Sequence, residues 1–179
     1  MIEVEVKITL KDPDGFRRKI CKKGAIKVLS EVEEDIYFTH PHINLQLTDE
    51  ALRLRRVNGN FYLTYKGPKM NKQSKTRQEF NVKVDDGEQI KQLLEKLGFQ
   101  PFRKIIKTRT EYQLGKIKVY IDRVEGLGDY AEFEVLVDGE DKVTVEKAKI
   151  QDLMRSLGLK PDQGIIKSYL ELLIDKAGQ

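Results

Sequence analysis

The chain has little of what secreted and membrane-spanning proteins need. It contains one cysteine, Cys21, so no disulfide can form within the chain, and a free thiol in a reducing compartment is expected. No apolar run approaches the roughly 20 residues of a membrane-spanning helix. The acidic start also lacks the basic and apolar regions of a signal peptide. We therefore expect a cytoplasmic protein with no membrane partner.

Charge of a single sign is also missing. Of the 179 residues 35% are charged, with 33 Lys and Arg against 29 Asp and Glu, for a net charge of +4. This mixture differs from the one-sided basic surface of a nucleic-acid-binding arm. The sequence shows no low-complexity stretch and no linker, so residues 1–179 are expected to form a single domain around one core.

What the chain does have is alternation. In I-E-V-E-V-K-I, apolar residues alternate with Glu3, Glu5 and Lys7, which therefore share one face of a predicted β-strand. Taken alone, the pattern is also typical of an ordinary sheet with one face in water. Later predicted strands repeat it with charges of both signs: Arg53 and Arg55; Lys75, Arg77 and Glu79; Lys107, Arg109 and Glu111; Lys118 and Asp122; Glu132 and Glu134.

Turn and cap residues divide the chain into elements. Asn58-Gly59 lies between two alternating runs and predicts a tight hairpin. Asp12 before Pro13, and Asp86, are typical helix caps. Two further helices are predicted near residues 144–157 and 164–175. Strands that alternate with few helices in this way favour an α+β fold, in which helices pack on the apolar side of a large antiparallel sheet.

With its apolar face covered, such a sheet can curl so that the charged face encloses a lumen. Many cations in a confined, partly desolvated channel repel one another unless a polyanion and metal ions complete the arrangement. Arginine and lysine suit phosphate oxygens, and clustered carboxylates suit Mg²⁺ or Mn²⁺. The pattern therefore predicts a metal-bound triphosphate. Nucleic acid is disfavoured, because a groove for a phosphate backbone would not carry nearly as many acids as bases.

The opening E-V-E-V-K resembles the E-x-E-x-K signature of the CYTH superfamily, the class IV adenylyl cyclases, thiamine triphosphatases and related triphosphate tunnel metalloenzymes. E-x-E-x-K alone is a weak signal, but the resemblance continues in order over nearly the whole chain. The blocks at residues 121–134 and 168–173 resemble the class IV adenylyl cyclase branch most. The matching blocks are D-I-Y-F (35–38), L-R-L-R (52–55), Y-K-G (65–67), K-T-R-Q-E (75–79), K-T-R (107–109), I-D-R-V-E-G-L-G-D-Y-A-E-F-E (121–134) and S-Y-L-E-L-L (168–173).

The resemblance implies a closed antiparallel eight-stranded β-barrel with helices packed on the outside, and a tunnel that binds a triphosphate-containing small molecule with Mg²⁺ or Mn²⁺. The implied activity is a cyclase that converts ATP to cyclic AMP and pyrophosphate. A triphosphatase acting on inorganic triphosphate, thiamine triphosphate or nucleotides is an alternative, as is a non-catalytic triphosphate- or polyphosphate-binding module. A homodimer is compatible with the resemblance.

The family's functional residues carry over to specific positions. The implied metal ligands are Glu3, Glu5, Asp122, Glu132 and Glu134. The implied phosphate-binding residues are Lys7, Arg53, Arg55, Lys66, Arg77, Lys107 and Arg109. Of these, Lys7, Arg53, Arg55 and Asp122 are expected to be catalytic. Lys75 and Glu79 are expected either to bind ligand or to form salt bridges with their neighbours.

Other residues allow two interpretations. Tyr62, Tyr65 and Tyr120 could stack on a base, although tyrosine is common in strands and the structural interpretation is favoured. His40 and His42 are expected to be plain loop residues, because no third metal ligand lies near them in the sequence. Lys167 fits a lumen contact as well as a helix surface. The sequence leaves the organic part of the substrate unassigned.

Overall fold

The computed structural model describes residues 2–69 and 77–178. Lys75 therefore lies outside the described residues. In that part of the chain there are eight strands and four α-helices. The strands are β1 (Ile2–Thr9), β2 (Ile26–Thr39), β3 (Ala51–Val57), β4 (Asn60–Lys69), β5 (Arg77–Val84), β6 (Gln100–Leu114), β7 (Ile117–Val124) and β8 (Gly128–Val137). The helices are α1 (Pro13–Lys22), α2 (Gly87–Lys96), α3 (Glu140–Ser156) and α4 (Tyr169–Ala177).

All eight strands belong to one antiparallel sheet in the order β1-β8-β7-β6-β2-β3-β4-β5. This confirms the predicted α+β fold and its eight-stranded sheet. The sheet is curled, and its edges are β1 and β5. Among the described residues, backbone ladders join the seven neighbouring pairs in this order and none joins β1 to β5.

Three helices cover the apolar, convex face. α1 and α3 bury Phe16, Ile20 and Met154 against β1, β7 and β8, and α2 packs Leu94 against the apolar face of β2 and β3. Along most of the strands apolar residues alternate with charged ones, so covering one face leaves the charges together on the other.

Helix α4 packs on the opposite, concave face. Tyr169 and Leu170 contact Tyr37 and Ile105, whose side chains share the charged face of β2 and β6. The prediction that every helix packs outside is therefore wrong for α4. The segment before α4 contains a 3₁₀ turn at Pro161–Gln163, and after it the Ile165 N–H donates to the Lys7 carbonyl at 2.7 Å.

The local predictions are largely confirmed. Asn58 and Gly59 have the positive φ angles, 48° and 76°, of the expected hairpin. Asp12 and Asp86 cap α1 and α2 with their side chains. The predicted start of the last helix at 164 is wrong, because Ser168 and Glu171 form a capping box that begins the helix at Tyr169. None of the described helices has the length and apolarity that spanning a bilayer requires.

Candidate active site

The concave face of the sheet lines a cavity of about 560 Å³, to which all eight strands and α4 contribute; we call it the site cavity. The described lining includes eight cationic and thirteen acidic side chains. The cations are Lys7, Arg53, Arg55, Lys66, Arg77, Lys107, Arg109 and Lys167. The acids are Glu3, Glu5, Glu31, Glu33, Asp35, Asp49, Glu50, Glu79, Glu111, Glu132, Glu134, Glu171 and Asp175.

The structure brings together nearly all of the side chains predicted from the sequence. Eleven of the twelve predicted ligand-binding residues line the site cavity, and Glu79 lines it as well. The exception is Asp122, which is fully buried behind the lining. These residues come from six different strands, and the alternation of each strand is what aims them at one space.

Two acids of β2 hold the arginines of β3. Asp35 accepts hydrogen bonds from Arg55 Nε and Nη2 at 2.7 and 2.8 Å, and Glu33 lies 2.8 Å from Arg55 Nη1 and 3.0 Å from Lys107 Nζ. Burial acts to raise the pKa of Asp35, but Arg53 and Arg55 outweigh it and hold the pKa well below its usual range. The same opposition lowers the pKa of Glu33, with Lys107 as the largest cationic contribution. Both carboxylates are therefore ionised partners that fix the cations in place.

Glu33 and Asp35 are residues of the cavity lining that the sequence prediction missed. They share the parity of Glu31 and Tyr37 on β2, so the alternation that identified the other strands would also have placed them on the charged face. The outward-facing Glu34 between them is acidic as well, and this hides the alternation.

A second group is built around Asp122. Its two oxygens accept from Arg109 Nε at 2.7 Å and from the Tyr169 hydroxyl at 2.8 Å, and Lys107 Nζ lies 3.5 Å away. Burial acts to raise the pKa of Asp122, but Lys107 and Arg109 lower it below its usual value. In this arrangement Asp122 orients cations from behind the cavity wall. Its predicted roles in metal binding and catalysis stay predictions.

Lys7 occupies the junction of β1, β8 and α4. Its ammonium is 3.0 Å from Glu132 and 3.6 Å from the centre of the Tyr169 ring, and the side chain is 2% exposed. Glu132 also pairs with Arg109. Lys7 is thus held in place by a carboxylate and by an aromatic face.

Glu3, Glu5 and Glu134 form a carboxylate cluster at the β1–β8 side of the cavity. Burial raises the pKa of Glu3 to about 8, with further contributions from the negative charges of Glu134 and Glu5. Burial and Glu5 likewise raise the pKa of Glu134. Carboxylates that repel one another in a partly desolvated place are the donors that a hard divalent cation prefers, so this set fits Mg²⁺ or Mn²⁺ in chemistry. As they are arranged, no three Asp, Glu, His or Cys side chains in the described ranges form a finished metal site.

Arg53 differs from its neighbour Arg55 in how fully it is paired. Its Nη1 is 3.6 Å from Asp35, and its Nη2 donates to the Thr64 hydroxyl at 3.2 Å. Its Nε is buried and makes no hydrogen bond within the described residues. A buried guanidinium donor without an acceptor is costly in free energy, and an anionic ligand in the cavity would supply that acceptor.

The residues with two interpretations separate clearly. Tyr120 lines the cavity beneath Arg109, with the guanidinium carbon 4.2 Å from the ring centre, whereas Tyr65 tilts against Phe80 on the other face. Lys167 lines the cavity and pairs with Asp175. The His40 ring packs on Phe99 at 4.9 Å, in agreement with a structural loop role.

Comparisons with known proteins agree with this architecture. The family model described as "CYTH domain" matches residues 1–169. A protein of Methanocaldococcus jannaschii named "Putative adenylate cyclase" is 41% identical over 175 residues, which cover 96% of this chain and 98% of that protein. Adenylate cyclase CyaB of Aeromonas hydrophila is 30% identical over 173 residues, which cover 95% of this chain and 87% of that protein.

A solved structure extends the likeness to three dimensions. The PH1819 protein of Pyrococcus horikoshii OT3 superposes with a TM-score of 0.88 at 38% identity, covering 97% of this chain and 99% of that one. Together, the match to the family model over most of the chain, the identities and the charged concave sheet show that the chain belongs to the CYTH family.

Proposed function

We propose that this protein binds a divalent-metal complex of a triphosphate in the site cavity and acts as an adenylyl cyclase, which converts ATP to cyclic AMP and pyrophosphate. The composition of the cavity wall supports the binding of a metal complex of a triphosphate. Eight cations suit a polyanion, but thirteen acids would repel one that arrived without metal. A metal-bound triphosphate satisfies both sets. The names of the relatives from Methanocaldococcus jannaschii and Aeromonas hydrophila support the cyclase activity.

The residues divide the work between phosphate and metal. Arg53, with its unpaired buried Nε, is the strongest candidate to bind a phosphate oxygen. The other predicted cations of the cavity, Lys7, Arg55, Lys66, Arg77, Lys107 and Arg109, would complete the phosphate site. Glu3, Glu5 and Glu134, with Glu132 beside them, would hold Mg²⁺ or Mn²⁺. The bound ion would neutralise phosphate charge and favour ionisation of the attacking hydroxyl group.

The reaction asks mainly for position and charge stabilisation from the protein. In cyclisation the ribose 3′-hydroxyl releases its proton to water, its oxygen bonds to the α-phosphorus, and the bond from that phosphorus to the pyrophosphate oxygen breaks. The fixed guanidinium and ammonium groups stabilise the charge that develops on the departing pyrophosphate. In a triphosphatase a water oxygen would attack instead. The same cations would serve both reactions, so the products decide between them.

We also propose that the curled sheet closes into a tunnel around its ligand. The pKa of Glu3 on edge strand β1 is affected by the charges of Lys66 on β4 and Glu79 on edge strand β5. The two edge strands, β1 and β5, also lie in contact with each other. A metal ion bound by Glu3 would reduce the repulsion that separates these carboxylates and favour closure.

Product analysis tests the proposal. The purified protein is incubated with ATP and either Mg²⁺ or Mn²⁺, and the products are resolved by ion-exchange chromatography. Cyclic AMP with pyrophosphate is the expected result, whereas orthophosphate would assign a triphosphatase. Thermal stabilisation by ATP without turnover would assign a binding module instead. An absence of both binding and turnover would overturn the proposal.

A matched pair of variants links any activity to the cavity. Arg53→Ala removes the guanidinium with the unpaired donor and is expected to lower kcat/KM by roughly a hundredfold or more, as loss of a charge-stabilising donor does. Arg56→Ala removes an exposed guanidinium three positions later on the opposite face of the same strand and should leave kcat/KM within about twofold of wild type. Equal effects of the two substitutions would refute the site.

A further inference from the structure

A second, smaller pocket adjoins the site cavity. It has a volume of about 300 Å³, and it shares Arg53 and Arg55 with the cavity, together with Glu31 and Glu33. The rest of its described lining is neutral, and we call it the neutral pocket. Its own residues are Val57, Asn58, Asn60, Tyr62 and Asn81.

The site cavity and the neutral pocket differ sharply in the charge of their lining residues. In the site cavity 21 of the 30 described lining residues are charged, whereas every residue that belongs to the neutral pocket alone is uncharged. Amides and a phenol offer hydrogen-bond donors and acceptors without net charge. Such groups suit the edge of a base or the hydroxyls of a sugar and not a phosphate. The volume is at the lower end of the range for small-ligand pockets, and is sufficient for a nucleoside.

The position of Tyr62 relates the two spaces. Tyr62 on β4 is directly opposite Arg55 on β3 in the antiparallel register, so the two side chains start about 5 Å apart on the same face. The phenol ring is partly buried. A nucleotide whose base stacked on this ring would have its 5′-phosphates beside Arg55 and Arg53, where the phosphate site begins.

A hydrogen-bond chain connects the pocket to Arg53. Asn81 Oδ1 accepts from the Thr64 hydroxyl at 2.9 Å, and the same hydroxyl accepts from Arg53 Nη2 at 3.2 Å. Since its carbonyl oxygen is used in this way, Asn81 presents its amide group as a donor. Asn60 donates through its side-chain nitrogen to the Asn58 carbonyl at 3.3 Å, which leaves its side-chain oxygen as an acceptor. The pocket therefore combines a ring face, a donor and an acceptor.

We infer that the neutral pocket binds the nucleoside part of the substrate, with Tyr62 stacked on the base and Asn60 hydrogen-bonded to a polar group of the nucleoside. The inference rests on the proposed function and extends it, because it assigns the nucleoside part of the substrate to named residues outside the site cavity. Inorganic triphosphate has no group that could fill this pocket, so it serves as the discriminating probe.

The test compares two ligands on three variants. Isothermal titration calorimetry with Mg²⁺ measures Kd for α,β-methylene ATP, which cannot be cyclised, and for inorganic triphosphate. Tyr62→Leu is expected to weaken binding of the nucleotide by roughly fivefold or more, as loss of a stacking ring does, and to change binding of inorganic triphosphate by less than about twofold. Tyr62→Phe keeps the ring and should retain nucleotide binding. Asn60→Ala should act on the nucleotide alone.

Gln46→Ala is the control. This substitution removes an exposed amide that lines the site cavity but not the neutral pocket, so it should leave the ratio of the two Kd values unchanged. Circular dichroism and thermal unfolding of each variant show whether the sheet is intact. If Tyr62→Leu does not fold, the effect of Asn60→Ala on the two Kd values tests the nucleoside role of the pocket.

The outcomes separate the inference from the function on which it rests. If wild type binds inorganic triphosphate as tightly as the nucleotide, the neutral pocket has no nucleoside role, although the triphosphate site stands. A folded Tyr62→Leu variant with equal losses for both ligands would also exclude a nucleoside role for the pocket. If wild type binds neither ligand, the proposed function fails, and the inference fails with it.

Discussion

The hydroxyl of Tyr169 donates to Asp122 at 2.8 Å, while the face of the same ring lies 3.6 Å from the ammonium of Lys7. One residue of α4 thereby contacts both an anion that holds Arg109 and a cation predicted to bind phosphate. Helix α4 is therefore a part of the site and not an outer cover. Its position depends on the bridge between Ile165 and Lys7, which ties the preceding segment to β1.

Replacing Tyr169 by Phe tests this connection. The substitution removes a hydrogen bond to a fully buried carboxylate and keeps the ring beneath Lys7. We expect the free energy of unfolding in urea to fall by about 2 kcal/mol, the usual range for a hydrogen bond to a charged group. Tyr130→Phe is the matched control, because the Tyr130 ring packs on Tyr169 at 5.2 Å but the hydroxyl that donates to Asp122 belongs to Tyr169. Equal losses in the two variants would remove the special role of the Tyr169 hydroxyl.

Asp35 should matter more to stability than its acidic neighbour. Asp35→Asn removes the charge that compensates Arg55 and, at 3.6 Å, Arg53. Breaking a buried ion pair from one side typically costs about 3 kcal/mol or more. Glu34→Gln changes the next residue, whose partner Lys104 is 2.7 Å away in an exposed pair, and should cost less than about 1 kcal/mol. Urea denaturation of both variants measures the difference, and a Glu34 effect as large as that of Asp35 would contradict the assignment.

The lowered pKa values of Glu33, Asp35 and Asp122 predict a steep loss of stability in acid. A carboxyl group whose folded pKa is below its unfolded pKa stabilises the fold above the unfolded value, here near 4. That contribution is lost as the pH falls further and the folded groups take up protons. Thermal unfolding between about pH 6 and 2.5 should show Tm falling below about pH 4. Asp35→Asn should fall less steeply than wild type, and parallel curves would exclude Asp35 as a source of the slope.

Much of the site could be predicted because strand alternation is a local property. Once Glu3, Glu5 and Lys7 are assigned to one face, the same rule applies to Arg53 and Arg55 and to every later strand. The rule failed on β2 only where a third acid, Glu34, stood between Glu33 and Asp35. Predicting these pairs required the β2–β3 register, since it is the register that sets Asp35 opposite Arg55.

Long-range packing was harder to predict. Ile165 and Tyr169 have helical spacing, which led to a helix predicted from residue 164, but the backbone of Ile165 instead bonds to Lys7 across 158 positions. Local propensity could not weigh that distant partner. The inward position of α4 has the same origin, because its apolar residues fit either face of the sheet and only the contacts with Tyr37 and Ile105 select the concave one.

The carboxylate cluster leads to a final prediction, for the metal. Burial and the negative charges of Glu134 and Glu5 make ionisation of Glu3 unfavourable in the folded protein but not in the unfolded chain, so Glu3→Gln, which cannot ionise, should make the metal-free protein more stable at neutral pH. A gain of about 1 kcal/mol would raise Tm by about 2–4 °C in a domain of this size. Excess Mg²⁺ should stabilise wild type more than the variant, because the variant has lost a ligand. Differential scanning calorimetry in EDTA and in Mg²⁺ measures both effects, with Glu125→Gln in an exposed turn as the control. A Glu3→Gln variant that is less stable in EDTA, or equally responsive to Mg²⁺, would show that these carboxylates do not form the metal site.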